Sequence, residues 1–423
     1  VKTESGKAHL VAPAGTTIEV PVKAGQNVNV GYYYQADFTV NGQTVTSNSG
    51  STSKFESSDF TANADGTLTI TVNTLTYFTG ITVGTKVPYA ENIYVGADKE
   101  YKTINDALAA VRLMDRPNSE RVTINVDPGD YQEMLVIDVD NVTLKNTAAN
   151  PDTALINKGV NITENGVRVT SYYIHGYNYF SMTDDCKYDE EVLKTNKENG
   201  YISFENPGSG TTKNSYWNAT VTVRGTGFEA DGIIFENSAN QYISTKEAND
   251  VVQEWTVGGK GTRPTTAGDT SVQNKSFVER AAAIAILGDK AYFNNCKFVG
   301  RQDTLYGASN IRAAFNKCTA MGGTDFIFGG MVATFYKSDI MMNTSEDKND
   351  VSYLTAAQQA SGRGYLMYDC NVVSTTPGVD TASEYVSKPG YFGRPWQATT
   401  SEVAFVNTTV GVASDGTSLV TPV

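Results

Sequence analysis

A short repeat in the middle of the chain constrains the fold more than any other feature. The segments KAYFNNCKFVGRQDTLYG and IRAAFNKCTAMGGTDFIFGG share one pattern, in which Cys296 of the first corresponds to Cys318 of the second. The same offset along the chain separates Asp303 from Asp325. An apolar pattern that repeats at such a short interval is typical of a chain winding into the coils of a parallel β-helix.

The repeat continues beyond these two segments. KAYFNNCKF, RAAFNKCTA, ATFYKSDI, YLMYDCNV and VAFVNTTV align as strands, and with an earlier strand they place one residue each in a single column: Ile233, Cys296, Cys318, Ser338, Cys370 and Thr408. The strand pattern is constant while the spacing varies, so the loops between strands differ in length. Variable loops along one edge are where a solenoid usually carries its binding residues.

Two aspartates occupy equivalent positions on neighbouring coils. Residues one coil apart lie roughly 4.8 Å apart on adjacent strands, so Asp303 and Asp325 are expected side by side. Like charges this close resist ionising together, which separates the two pKa values and provides one acid and one base or nucleophile. Aspartates in solenoid turns more often cap backbone amides, so the pair alone is weak evidence for a site.

Neighbouring residues strengthen the case for a site. Gln302 is an uncharged donor beside Asp303, and Arg394 and Trp396 lie in the loop GYFGRPW after a later strand. An arginine that pairs with a carboxylate keeps it ionised and oriented. An indole offers a flat apolar face of the kind that stacks on sugar rings.

Composition excludes several other functions. The chain has 33 Lys and Arg against 46 Asp and Glu, a net charge of −13, which disfavours a nucleic-acid partner because such binding needs a basic face. No apolar run reaches the length of a membrane span. Only His9 and His175 are present, without a GxSxG-like motif, which argues against a Ser-His-Asp or Cys-His hydrolase.

The four cysteines carry no metal-binding pattern. Cys186, Cys296, Cys318 and Cys370 form no CxxC pair and no Cys/His cluster, which disfavours a zinc site. Three of them fall in the column described above, and we expect a stack of buried free thiols. A disulfide between adjacent coils is the alternative, because the spacing of neighbouring strands is within bonding range.

The first 87 residues differ from the rest of the chain. Short alternating runs such as TTIEVPV and GTLTITV are separated by Asn-Gly and Asp-Gly turns, which predicts an antiparallel β-sandwich over residues 1–87 and a β-helix over 88–423. Tyr32, Tyr33 and Tyr34 could form an aromatic platform for a sugar, although alternation between core and surface is the favoured interpretation. A helix with apolar residues at Ile104, Ala107, Leu108 and Val111 is expected to cap the solenoid.

Two long polar insertions, residues 172–216 and 241–278, do not fit the strand pattern. They could wall a binding cleft or hold an extra strand pair, and ordinary surface elaboration is the alternative.

Three motifs resemble those of a known family. GRQDTLYG, TDFIFGG and YFGRPW are similar to the signature motifs of pectin methylesterases, which remove methyl groups from pectin, and YKTINDALAAV, DPGDYQE and TGFEADGIIFEN resemble that family's earlier segments. The resemblance covers roughly residues 90–410 and implies a right-handed parallel β-helix. It agrees with the fold that the repeat predicts.

The resemblance implies a role for each motif residue. Asp325 would be the nucleophile, Asp303 the general acid and base, Gln302 an oxyanion donor and Arg394 the partner of Asp325. Trp396, Tyr306 and Phe328 match aromatic residues that contact the polymer, although packing inside the solenoid explains Phe328 nearly as well. No metal or organic cofactor is implied.

One departure from the family concerns the oxyanion site. The family usually has a glutamine at the start of a QAVAL-like strand, and this position falls on Ala282 in the segment RAAAIAIL. Either the oxyanion hole has one donor fewer, or a residue from an insertion substitutes; Glu279 and Arg280 are close in sequence.

The leading hypothesis is therefore an esterase that hydrolyses methyl esters of polygalacturonan, acting as a monomer on pectin and located outside the cell, in the periplasm or at the cell surface. The enzyme alternatives are a pectate lyase or polygalacturonase; the latter, if inverting, needs carboxylates about 6.5–9.5 Å apart. Another polysaccharide esterase, or a β-helical pectin-binding protein with weak or lost activity, is the remaining alternative.

Overall fold

The computed structural model describes residues 10–50, 55–117, 119–174, 183, 186–187, 218–250, 264–274, 280–343, 345, 350–384, 390–413 and 415–422. The chain divides into two compact units, which are described separately. The first contains the described residues up to Ala90 together with Ala109–Pro117, and the second contains the other described residues. The division at residues 87 and 88 stays a prediction.

The first unit is built on two four-stranded antiparallel sheets, as the alternating N-terminal pattern predicted. One sheet has the strand order β1 (Leu10–Ala12), β8 (Thr76–Thr85), β3 (Gln26–Tyr33) and β6 (Phe55–Thr61). The other has the order β2 (Thr17–Val22), β7 (Gly66–Val72), β4 (Gln35–Val40) and β5 (Gln43–Asn48). Alternate residues of both sheets, including Val30, Phe38 and Ile70, form one fully buried core.

The tyrosine run of β3 does not form an exposed platform. Tyr32 and Tyr33 are both buried. Tyr32 packs edge-on against Phe38 with ring centroids 5.6 Å apart, and Tyr33 packs against Tyr77 at 5.7 Å. The expectation that these side chains alternate between core and surface is also wrong for Tyr32 and Tyr33, because both rings are buried against aromatic neighbours.

The second unit is a right-handed parallel β-helix with three long sheets, which confirms the predicted fold class. Sheet I has nine strands: β10 (Asn92–Val95), β12 (Val122–Val126), β15 (Val142–Asn146), β20 (Glu229–Asp231), β23 (Ala291–Asn294), β26 (Arg312–Asn316), β29 (Val332–Tyr336), β32 (Tyr365–Tyr368) and β35 (Val403–Val406). Sheet II has eight: β13 (Gly129–Tyr131), β18 (Val167–Ser171), β21 (Ile233–Asn237), β24 (Lys297–Val299), β27 (Thr319–Gly322), β30 (Asp339–Met342), β33 (Asn371–Ser374) and β36 (Thr409–Val410). Sheet III has seven: β14 (Leu135–Ile137), β19 (Val221–Val223), β22 (Ile284–Ile286), β25 (Leu305–Gly307), β28 (Ile327–Gly329), β31 (Ser352–Ala357) and β34 (Gly390–Gly393).

The register of sheet II agrees with the column aligned from the sequence. Lys297 pairs with Thr319, Thr319 with Asp339 and Asp339 with Asn371, so the residues just before them stack on successive coils. Each strand of sheet II in this column is entered through a tight turn whose last residue has a positive φ. These turn residues are Gly232, Asn295, Lys317, Lys337, Asp369 and Asn407, with φ between 48° and 70°.

Aromatic rings stack along the interior of the helix. Phe293, Phe315 and Phe335 occupy equivalent positions in sheet I, with parallel rings 5.0 and 4.3 Å apart. All three are buried. Because one coil buries little on its own, such stacks supply the apolar contact that holds successive coils together.

Few helices accompany the sheets in the described part of the chain. They are α1 (Ile104–Arg112), α2 (Thr245–Asn249) and a 3₁₀ helix (Ser271–Asn274). The predicted apolar face of α1 is buried, and the carboxylate of Glu133 accepts hydrogen bonds from the first backbone N–H groups of α1, at Ile104 and Asn105. A role for α1 as the solenoid cap stays a prediction.

Two short strand pairs complete the secondary structure: β9 (Val87–Pro88) with β11 (Met114–Asp115), and β16 (Leu155–Ile156) with β17 (Asn161–Ile162). None of the described helices is long and apolar enough to cross a membrane. Most of the two insertions, including His175, lies outside the described residues.

Candidate active site

Asp303 and Asp325 lie at the same point of two successive coils, two residues before strands β25 and β28 of sheet III. The strands pair in register, Leu305 with Ile327, and the backbone N–H of Asp303 donates to the carbonyl oxygen of Thr324 at 3.0 Å. Both aspartates have a positive φ, 57° and 52°, a conformation that Asp tolerates better than most residues. The turn therefore presents two carboxylates from adjacent coils, only 5% and 2% exposed.

Arg394 binds Asp325 through both carboxylate oxygens. Its Nε donates to Oδ1 and one of its terminal nitrogens donates to Oδ2, each at 2.7 Å. The guanidinium also lies over the ring of Tyr353, 4.5 Å from the centroid, and the backbone N–H of Arg394 donates to Thr355. The hydrogen bonds from Arg394 to Asp325 raise the pKa of Arg394 above its usual range.

Arg280 approaches the other aspartate. Its Nε lies 3.9 Å from Oδ2 of Asp303, and both side chains are buried. Arg280 comes from the preceding coil, where it pairs in parallel with Gln302. The site thus contains two carboxylates and two guanidiniums, with one arginine beside each aspartate.

The residue that faces Gln302 from the preceding coil is Arg280. Ala282, chosen from the sequence motif, is fully buried and packs with Ala219 and Ala285. Along the chain, Arg280 and its partner Gln302 are one residue further apart than Ile284 and its partner Leu305 are. The preceding coil therefore contains one extra residue between these pairs, and the residue across from Gln302 is Arg280.

The three aromatic residues of the motifs differ in exposure. Trp396 is 57% exposed, so its indole is accessible to a polymer. Tyr306 and Phe328 are register partners whose ring centroids lie 5.0 Å apart. Phe328 is only 3% exposed, which favours the packing interpretation of this residue.

Sequence reasoning missed the roles of two residues near the site. Tyr353 stacks under Arg394 and against Tyr391, but no motif marks it. Arg280 was noted only as a neighbour of Ala282, although stepping back from Gln302 by the offset that separates the two aspartates reaches it directly. Within the described ranges, no group of three or more His, Cys, Asp and Glu residues is placed to hold a metal ion.

Comparison with known proteins agrees with the resemblance in the motifs. Residues 242–416 match the family model described as Pectinesterase, which confirms the resemblance and includes Asp303, Asp325 and Arg394. The chain is 31% identical to the probable pectinesterase A of Neosartorya fischeri over 52% of this chain and 51% of that protein. It is 29% identical to the probable pectinesterase/pectinesterase inhibitor 64 of Arabidopsis thaliana over 33% of this chain and 25% of that protein. The chain thus spans about half or less of these two relatives.

Two solved structures superpose on this chain at low identity. Escherichia coli ybhc superposes with a TM-score of 0.50 and 14% identity, covering 77% of this chain and 73% of that one. Pectin methylesterase PemA from Erwinia chrysanthemi superposes with a TM-score of 0.49 and 21% identity, covering 78% and 85%.

Proposed function

We propose, from the premise that residues 242–416 are a pectinesterase-family region, that this chain hydrolyses the methyl esters of polygalacturonan to give methanol and de-esterified pectin. The observation that carries the proposal is the buried Asp325, held by two hydrogen bonds from Arg394 and one coil away from Asp303. A carboxylate fixed in this way is a nucleophile with a defined direction, and a second carboxyl group next to it can move a proton.

In the proposed first half-reaction, an Asp325 oxygen attacks the ester carbonyl carbon and forms a tetrahedral intermediate whose negative oxygen accepts a hydrogen bond from Gln302. The carbon–methoxy bond then breaks while protonated Asp303 donates its proton to the leaving oxygen. Methanol departs, and the substrate acyl group is left as an anhydride with Asp325.

In the second half-reaction, Asp303 accepts a proton from water, and the hydroxide adds to the acyl carbonyl. Collapse of this intermediate releases the galacturonic acid unit and restores the carboxylate of Asp325. Asp303 is again protonated, and the new acid loses its proton to solvent, so the cycle is balanced without a cofactor.

The partner of this site is methylated pectin, with Trp396 as an exposed aromatic contact. We place the protein outside the cell, in the periplasm or at the cell surface, because its polymeric substrate is found there, and we propose that it acts as a monomer.

Methanol release from highly methylated pectin, measured together with polymer length, tests the proposal. The esterase mechanism predicts methanol and protons in equal amounts with no change in chain length. Shortened chains or unsaturated sugar ends would instead indicate a glycosidase or lyase. Binding to pectin without methanol would indicate a binding protein.

A further inference from the structure

We propose that Arg280 is a catalytic residue of this site, the second oxyanion donor beside Gln302. The inference rests on the proposed esterase function and deepens it. The sequence motif indicated the loss of an oxyanion donor at Ala282, and Arg280 supplies a donor from a different position. It also predicts that the tetrahedral intermediate is stabilised here by a full positive charge.

The backbone register is the first argument. Arg280 and Gln302 are paired residues on adjacent coils, and the backbone N–H of Ala281 donates to the carbonyl oxygen of Gln302 at 3.2 Å. Adjacent strands are about 4.8 Å apart, so an oxygen atom between the two side chains can accept hydrogen bonds from both.

The orientation of the guanidinium is the second argument. Arg280 turns towards the Asp303 carboxylate, with its Nε 3.9 Å from Oδ2, and the residue is only 7% exposed. A guanidinium has five N–H donors in a planar fork, so it can contact Asp303 and a substrate oxygen at the same time. Ala282 has no donor in its side chain and packs among Ala219 and Ala285.

The electrostatic setting is the third argument. A donor in a largely buried site stabilises a developing negative charge far more strongly than it would in water. The nucleophile Asp325 is already neutralised by Arg394. Arg280 then supplies a second cation beside the position where charge forms on the substrate.

Arg280→Met and Arg280→Gln test the assignment, with Arg312→Met as the matched control. Arg312 forms an exposed ion pair with Asp289 on sheet I, so its removal deletes the same charge away from the site. The steady-state release of methanol from methylated pectin gives kcat and KM. Thermal unfolding reports whether each variant is folded.

A donor role predicts that Arg280→Met lowers kcat on the order of 10²–10³-fold, with KM changed only a few-fold, because the interaction forms in the transition state. Arg280→Gln restores an uncharged donor and is expected to retain kcat within about tenfold of the wild type. Arg312→Met should match the wild type.

Unchanged kcat in Arg280→Met would overturn the assignment. An equal loss of kcat in Arg280→Met and Arg280→Gln would also overturn it. That pattern means that the positive charge acts on Asp303 and that Arg280 donates to no substrate oxygen. If Arg280→Met does not fold, Arg280→Ala takes its place as the variant without a donor. If the wild type releases no methanol, the esterase proposal and this inference are overturned together. If the wild type is active and Asp325→Asn is inactive, the esterase proposal stands, and a negative result for the Arg280 variants overturns only the role of Arg280.

Discussion

Arg394 binds both oxygens of the Asp325 carboxylate, at 2.7 Å each, although the two residues are 69 positions apart in the chain. Asp325 is almost fully buried, while about two-fifths of the Arg394 side chain is exposed. The arginine thus covers the carboxylate on its solvent side and fixes both oxygen positions. The guanidinium also lies over the ring of Tyr353, 4.5 Å from its centroid.

This geometry predicts that lysine cannot replace Arg394. Arg394→Lys keeps the charge but loses the planar fork, so Asp325 is held by a single donor with poor orientation. We expect kcat for methanol release to fall about 10²-fold or more, as a misplaced nucleophile costs roughly this much. Arg312→Lys, at the exposed pair with Asp289, is the control. Wild-type kcat in Arg394→Lys would show that bidentate binding is not needed.

A buried polar network beneath sheet II is expected to stabilise the β-helix. Glu236 is fully buried, and its Oε1 accepts hydrogen bonds from Thr170 at 2.8 Å and from Tyr242 at 2.6 Å, while Arg168 lies 3.5 Å from Oε2. Burial raises the pKa of Glu236, and Arg168 and the two hydroxyl groups oppose that shift.

Tyr242→Phe therefore removes one donor from a buried acid. We expect a loss of about 1–3 kcal/mol in stability, seen as a lower Tm in calorimetry. Tyr336→Phe removes the same hydroxyl from an exposed ring that stacks on Tyr368 and should leave Tm nearly unchanged. Equal Tm values for the two variants would contradict the importance of the network.

The cysteines are expected to be unreactive in the folded protein. Cys186, Cys296, Cys318 and Cys370 are buried free thiols. Burial raises the pKa of Cys296 well above its usual range and also raises that of Cys370, so both remain protonated at pH 8, where only a thiolate reacts quickly. A thiol reagent at pH 8 should titrate close to none in the native state and all four after denaturation. Only two reactive groups after denaturation would instead reveal a disulfide.

The charge of the protein predicts a dependence on methylation and salt. The chain carries a net charge of −13, and de-esterified pectin is a polyanion. Their repulsion is strongest at low ionic strength, where the Debye length is long. We expect preference for highly methylated pectin and weak product inhibition at low salt, measured by initial rates across methylation levels. Equal rates at all levels in low salt would indicate a locally basic binding surface.

The sequence predicted the helical coils well because their physical causes are local and periodic. Cys296, Cys318 and Cys370 lie in one column as expected, with Ser338 between the last two, since each follows a strand of sheet I and a turn residue with positive φ. No partner for Gln302 was predicted from the sequence, because a pattern of small apolar residues such as RAAAIAIL does not fix its own register and one coil contains an extra residue between Arg280 and Ile284.

Contacts between distant segments were harder to predict. The support of Arg394 by Tyr353 depends on how sheet III places a strand beneath the GRPW loop, and no local pattern encodes it. The burial of Tyr32 and Tyr33 depends on rings in other strands, Phe38 and Tyr77. Strand alternation predicts which face a residue takes but not which partner covers that face.

The most direct test of the account compares methanol release by the wild type and Asp325→Asn. Asparagine tolerates the positive φ at this position, so the substitution removes the nucleophilic carboxylate without straining the turn. The account predicts that the wild type releases methanol from methylated pectin and that folded Asp325→Asn releases essentially none. Methanol release by Asp325→Asn at a rate near that of the wild type would contradict it.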